Sequence, residues 1–376
     1  MAFLLPLDIR ERIANMVIDG PSLRSLSLAA RSWRTTAIEA RYYSLEYTLK
    51  HSGKTVELLV AFFKENTHLA KAVRMLTLGG GARIQIEEYE SLDLHKCMLL
   101  VAALPGLQSL SLKLMGWTAP TIQRPVVPLH DRLRHLLLDV VWRVEDSDPA
   151  VLTLLGLTDR WESVVLMDFA HGGHIPTNLE PLPVSTLRVV QSQHREDSPS
   201  LPVGQELFRT VENLSFQEIR LEDAVCLFKV VEYNQQTLKR ATGISMGTQL
   251  ECLYSVVRFL PSTLKVLDLF FDVAHGTSAA NAESLSLRVD WHSIGLYARK
   301  VPSLTGVVIH IDDSALGSGR QYLEAERHIK DAFAAAGLRC SDRSLTGGLM
   351  LIHRHDIDWD EFCGVIQRGV DAFIYF

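Results

Sequence analysis

Apolar residues recur along most of this chain in one phrase, L-x-x-L-x-L. It reads VRMLTL at Val73–Leu78, LQSLSL at Leu107–Leu112, LRHLLL at Leu133–Leu138 and WESVVL at Trp161–Leu166. It continues as LRVV at Leu187–Val190, VENLSF at Val211–Phe216, LKVLDL at Leu264–Leu269 and LTGVVI at Leu304–Ile309. A weaker copy, LKRATGI, lies at Leu238–Ile244. The mean step is about 29 residues, within the range of stacked repeats. The longest, from 264 to 304, has room for one more strand at Leu285–Val289. Helical stretches fill the intervals at Glu87–Leu104, closed by Pro105 and Gly106, at Glu222–Thr237, and at Gln249–Leu260, closed by Pro261.

One such unit cannot bury its leucines alone, so neighbouring units must stack. The expected fold class is therefore an α/β solenoid built of strand–helix repeats. A doubly wound enzyme sheet also alternates strands and helices, but it does not require one phrase to recur. Within the phrase, the fourth and sixth positions point into the core, because side chains alternate along a strand. The first joins them only if the chain bends as it enters the strand. The third and fifth then face outward on the concave sheet, the usual binding surface of curved solenoids. These positions include Met75, Thr77, Ser109, Ser111, His135, Leu137, Ser163, Val165, Asn213, Ser215, Val266, Asp268 and Val308. Phe270, His310 and Asp312 continue the same face. An aromatic anchor with a polar rim suits a protein interface. The expected binding strip for a protein substrate is Met75, Ser109, His135, Leu137, Asp268, Phe270, His310 and Asp312. The rival expectation is that a loop or the C-terminal Phe373–Phe376 covers it.

The first 48 residues follow a different rhythm. Pro6 suits a first helical turn; Ile9, Ile13, Met16 and Val17 then recur at helical spacing up to a stop at Asp19, Gly20 and Pro21. Ser22 is placed to cap a second helix carrying Leu23, Leu26 and Leu28. Trp33, Ala37 and Ile38 mark a third, ending about Tyr42. Helices this short must pack on each other or on a partner. A strand-like Tyr43–Leu49 follows. The expected division is a three-helix head at 1–48 and a repeat body at 49–376.

Charge sharpens that division. Residues 1–50 carry seven Lys and Arg against five Asp and Glu, or +2, while the remainder carries 31 against 39, or −8. The whole chain of 376 residues has a net charge of −6, is 47% hydrophobic and 22% charged, as globular proteins are. No basic run offers the footprint of a nucleic-acid binder. No apolar run reaches the ~18 residues of a membrane span, and the N-terminus lacks the basic region of a secretory signal. The expected location is cytoplasmic, nuclear or both. Cys97, Cys226, Cys252, Cys340 and Cys363 are too scattered for a zinc ribbon or a disulfide framework, and read as buried reduced thiols.

Catalytic motifs are incomplete. Gly53, Lys54 and Thr55 stand between a strand and a helix at Val56–Glu65, as in a phosphate loop, but Thr48 occupies the position of the first required glycine. Gly79–Gly81 would need a further glycine where Ile84 stands. His171 and His174, like His353 and His355, lack the i, i+4 spacing of a helical metal pair. No G-x-S-x-G elbow occurs. The sequon at Asn213 sits in an expected strand. The sequence reads as a non-enzyme with no cofactor and no metal; an α/β enzyme with a degenerate nucleotide loop at Gly53–Thr55 is a remote alternative.

The head carries a resemblance. Leu5, Pro6, Asp8 and Ile9 at one end, with Arg31 and Trp33 at the other, resemble the F-box pattern, which opens Leu-Pro-x-Glu/Asp-Ile/Leu and closes with a basic residue shortly before tryptophan. Ala29 and Ala30 replace its usual Val-Cys, and the repeats lack the Asn or Cys column of regular leucine-rich repeats. Head and body together resemble the F-box/leucine-rich-repeat proteins of fungi. That resemblance implies a substrate receptor of an SCF (Skp–cullin–F-box) ubiquitin ligase. A Skp-type adaptor would then be gripped by Leu5, Pro6, Ile9, Leu26 and Trp33, and a protein substrate by the repeats. The alternatives are a leucine-rich scaffold without ubiquitin chemistry, and a head that only caps the repeats.

Overall fold

A computed structural model describes residues 7–17, 20–29, 31–49, 55–80, 91–113, 116–118, 130–139, 142–143, 154–167, 182–190, 208–217, 229–245, 260–272, 290–304, 306–312, 319–340 and 349–353. Two compact units divide the chain, Met1–Pro176 and Thr177–Phe376. Both are α/β, built on mostly parallel sheets.

The first unit opens with helices α1 (Leu7–Met16), α2 (Gly20–Ala29) and α3 (Arg31–Tyr43), and α3 runs straight into strand β1 (Ser44–Leu49). The expected boundary at 48 thus lies inside β1. After α4 (Val56–Glu65) and α5 (Thr67–Ala72) come β2 (Met75–Gly80), β3 (Ser91–Asp93), α6 (Leu94–Ala103), β4 (Ser109–Lys113) and β5 (Gly116–Thr118). The unit continues through β6 (His135–Asp139), β7 (Trp142–Arg143) and β8 (Trp161–Met167). The main sheet runs β1-β2-β4-β6-β8, and β3-β5-β7 form a second parallel sheet.

In the second unit β9 (Leu182–Val190), β10 (Phe208–Arg209), β11 (Asn213–Gln217), β12 (Arg240–Ser245) and β13 (Val266–Asp272) precede α7 (Trp291–Lys300) and β14 (Gly306–Asp312). Then come α8 (Gly319–Ala335), β15 (Arg339–Cys340) and β16 (Leu349–His353). The order is β9-β11-β12-β13-β14-β16-β15, parallel until β16 turns antiparallel against β14. Neither that antiparallel end nor α8 has a counterpart in the phrase.

The strands stay in step. Ser109 pairs with His135, and His135 with Ser163. In the second unit Thr186, Asn213, Arg240 and Val266 follow one another across adjacent strands. Five junctions are built alike. The carbonyl of Arg74 receives the N–H groups of both Gln108 and Ser109, that of Gln108 receives Arg134 and His135, and that of Arg134 receives Glu162 and Ser163. Glu212 and Lys239 do the same for the strands after them. One acceptor facing two residues bends the chain as a bulge does, and the bend turns the first position of the phrase inward. Val73, Leu107, Leu133, Trp161, Val211, Leu238, Leu264 and Leu304 are accordingly buried, together with the fourth-position Leu76, Leu110, Leu136, Val164, Leu187, Leu214, Ala241, Leu267 and Val307.

Side chains tie repeat to repeat in the second unit. Thr237 donates its hydroxyl to the Val211 carbonyl at 3.0 Å, Thr263 to Leu238 at 3.0 Å, and Ser303 to Leu264 at 2.8 Å. Buried Asn234 accepts from Val211 N at 2.9 Å and donates to the Phe208 and Val230 carbonyls at 2.8 Å. In the first unit, buried His130 accepts the Leu133 N–H at Nδ1, so Nε2 carries the proton it gives the Leu104 carbonyl at 2.8 Å. These bonds satisfy backbone groups that the turns would otherwise leave orphaned.

Thr210 begins the same column under strain. Arg209 pairs with Pro183, whereas Asn213 pairs with Thr186, so three residues of one strand face two of the other. Thr210 takes up the extra residue at φ 71°, a left-handed conformation costly for a β-branched side chain. Thr210→Gly should therefore stabilise the fold by about 1 kcal/mol; a lower melting temperature would mean the threonine side chain contributes more than its backbone costs.

Local signals locate several helix ends. Asp93 caps α6 through His95 N at 2.9 Å, which starts that helix at Leu94 rather than Glu87, and Asp290 caps α7 through Ser293 N at 2.9 Å. Gly337, at φ 81°, closes α8 with Leu338 N bonded to the Phe333 carbonyl at 3.0 Å. The head departs from expectation at α2, which begins at Gly20 and not after a cap at Ser22. Proline fits a first helical turn, so Pro21 lies inside the helix it was expected to precede. Gly79 and Gly80 likewise extend β2 against Thr48 and Leu49 instead of forming a turn. The expected strand at Leu285–Val289 and most of the helix at Gln249–Leu260 lie outside the described residues.

Candidate functional site

The head is arranged around α3. Among the described residues its own Thr36 and Ala37, with Leu23 of α2 and Ala14 of α1, are buried. Leu26 and Trp33 are half-buried and Ile9 is exposed, while Leu5 and Pro6 lie outside the described residues. Helix α1 is oriented unexpectedly. Ile9, Ile13 and Met16, one face at i, i+4 and i+7, are exposed, with Met16 at 79%. Leu7 beside them and Leu28 on α2, at 78%, are exposed too. About 100° round the helix, Arg10, Ala14 and Val17 lie on the inward side, where Ala14 is wholly buried. Arg10 Nη1 donates to the carbonyl of Ser32 in the first turn of α3, and its Nε is buried without a hydrogen-bond partner. Exposed Arg12, Arg24, Arg31, Arg34 and Arg41 add positive charge to the same three helices.

The sheet strip differs along its length. In the first unit Met75 is exposed, and Thr77, Ser109, His135 and Leu137 are half-buried, whereas Ser111, Ser163 and Val165 are buried. His135 faces Glu162 at 3.9 Å, yet burial holds the imidazole below its ordinary pKa against the pull of that carboxylate. In the second unit Ser215, Val266 and Val308 are buried, Val266 to 1%. The outward positions are therefore not uniformly open: Val165, Val266 and Val308 put buried apolar side chains there, as in parallel strands covered on both faces. Asp268 stands here with Arg240 Nε at 2.5 Å and the Thr242 hydroxyl at 3.2 Å, both donating to Oδ2. Its Oδ1 is buried without a partner. Burial raises its pKa, and Arg240 only partly opposes that. Phe270 and His310 are register partners, and Asp312 pairs with Asp272 two residues on.

Thr55 Oγ1 caps α4 by accepting from Leu58 N at 3.5 Å, the ordinary work of a helix-capping threonine; Gly53 and Lys54 lie outside the described residues. Cys97 is wholly buried, and burial pushes its thiol up to about 12, so it packs as a small apolar side chain. His171 and His174 lie outside the described residues, and among the described residues no group of three or more potential ligands converges on a metal position. Asn213 donates to Thr186 Oγ1 at 3.3 Å within the sheet. Among the described residues no helix is long and apolar enough to cross a membrane.

The exposed face of α1 was legible as a helical stripe, but its direction was not. The column Thr210, Thr237, Thr263 and Ser303, each just before the phrase, is a further signal that the sequence carries. Compared with protein-family models and with curated proteins, the chain matches none.

Proposed function

We propose that the chain is a substrate-recognition adaptor of an SCF-type ubiquitin ligase. In this reading α1–α3 are an F-box that docks a Skp-type adaptor, and the strand–helix repeats form a leucine-rich-repeat-like solenoid that holds a protein substrate. The chain itself performs no chemistry. The observation that carries the reading is the outward face of α1. Three large apolar side chains on one short helix, with Leu7 and Leu28 beside them, cost solubility unless a partner covers them. The surrounding arginines favour an acidic partner. The even register and the buried first, fourth and sixth positions of the phrase support the solenoid. Exposed Met75 with half-buried Ser109, His135 and Leu137, and the register partners Phe270 and His310 with Asp312, are the substrate-facing candidates.

Co-expression with a Skp-type adaptor tests the head. The full chain should co-purify with it in a one-to-one complex. Ile13→Glu with Met16→Glu should abolish that complex and leave the circular dichroism of the chain unchanged, because both side chains are already exposed. Co-purification that survives the double substitution overturns the assignment. No complex with the unmodified chain would favour a leucine-rich scaffold without ubiquitin chemistry.

A further inference from the structure

We infer that Arg10 is a positioning residue for adaptor docking: it fixes α1 on α3 so that Ile9, Ile13 and Met16 face outward. The inference rests on the F-box reading and adds a residue which the F-box pattern does not name. Among the described side chains the inward side of α1 offers little apolar grip, since Arg10, Ala14 and Val17 lie there and Ala14 alone of them is fully buried. A leucine or isoleucine at position 10 would bury far more apolar surface.

The guanidinium binds the Ser32 carbonyl instead, at two costs. A cation at a helix N-terminus opposes the helix dipole, and the Arg10 Nε is buried without a partner. An apolar residue would avoid both costs, but it would also let α1 roll its isoleucines inward, which the sequence periodicity alone favours. The polar tether gives α1 one rotation and leaves its apolar face free. Arg10 thus acts through α1 and need not touch the adaptor.

Binding of the full-length chain to an immobilised Skp-type adaptor, measured for wild type, Arg10→Met and Arg10→Lys, decides the matter. Methionine keeps the stem and removes the donor, so affinity should fall at least ~10-fold, the worth of one hydrogen bond to a charged group. The bond to Ser32 uses a single nitrogen, so lysine should restore most of the affinity. Hydrogen exchange should show α2 and α3 equally protected in all three proteins. Arg10→Met binding as tightly as wild type overturns the inference. So does loss of protection throughout α2 and α3, which would make Arg10 a strut of the head core. A wild-type chain that does not bind the adaptor removes the F-box reading itself, and the inference falls with it.

Discussion

Asp268→Ala should destabilise the second unit by about 3 kcal/mol, the cost of leaving the buried donors of Arg240 and Thr242 without the acceptor that a carboxyl group, ionised or protonated, supplies. Asp268 and Arg240 are 13% and 14% exposed, so the guanidinium left behind has little access to water. Replacing both by leucine should recover much of the loss, because an apolar pair of similar volume pays no desolvation cost. Urea denaturation of the two single variants and the double variant measures the coupling; single-variant losses that simply add would show the pair to be uncoupled.

The pH dependence has a definite sign. The folded pKa of Asp268 lies above its ordinary value of 3.8 because burial disfavours the charge. The folded state therefore binds this proton more readily than the unfolded chain. The resulting stability is fully present below 3.8 and is lost as pH rises through the folded pKa. Compared with Asp268→Asn, wild type should gain stability as pH falls toward 3.8. A relative loss over that interval would mean Arg240 outweighs burial.

Gly106→Ala should cost about 3 kcal/mol, the upper part of the usual range for overpacking. A Cβ at this position would lie 2.5 Å from the Lys71 carbonyl oxygen and 3.0 Å from that of Val73, with the Arg74 guanidinium nearer still. The arginine could swing away, but only by giving up its 2.8 Å bond to the Gly106 carbonyl. The backbone oxygens cannot swing. Arg74 also receives Gln108 and Ser109 on its own carbonyl, so the clash falls on the junction between β2 and β4. At 2–4 °C per kcal/mol for a unit of this size, the first unit should melt roughly 6–12 °C lower. A smaller shift would mean that the turn at Pro105 relaxes without disturbing β4.

Much of this fold was legible because its signals are local. A six-residue phrase carries its own alternation, and every first, fourth and sixth position described is inward. The helix at Val56–Glu65 and the strand expected before it at Tyr43–Leu49 are present, the strand from Ser44. Cys97 followed from its apolar neighbours. The short strands β3, β5 and β7 were not legible, since two or three residues hold no period.

The sequence by itself determined which residues share a face, because periodicity is a property of one element and needs no partner. Only the tertiary structure decided what each face meets. Ile9, Ile13 and Met16 form a stripe in any helix, but the Arg10–Ser32 bond turns that stripe outward. Val266 and Ser215 alternate outward in any strand, but the fold buries them. Asp268 lies 28 residues from Arg240; it becomes an ion-pair partner because parallel register sets β12 beside β13. Burial of a face and pairing across strands depend on what packs alongside, and no alternation within a single strand encodes its neighbour.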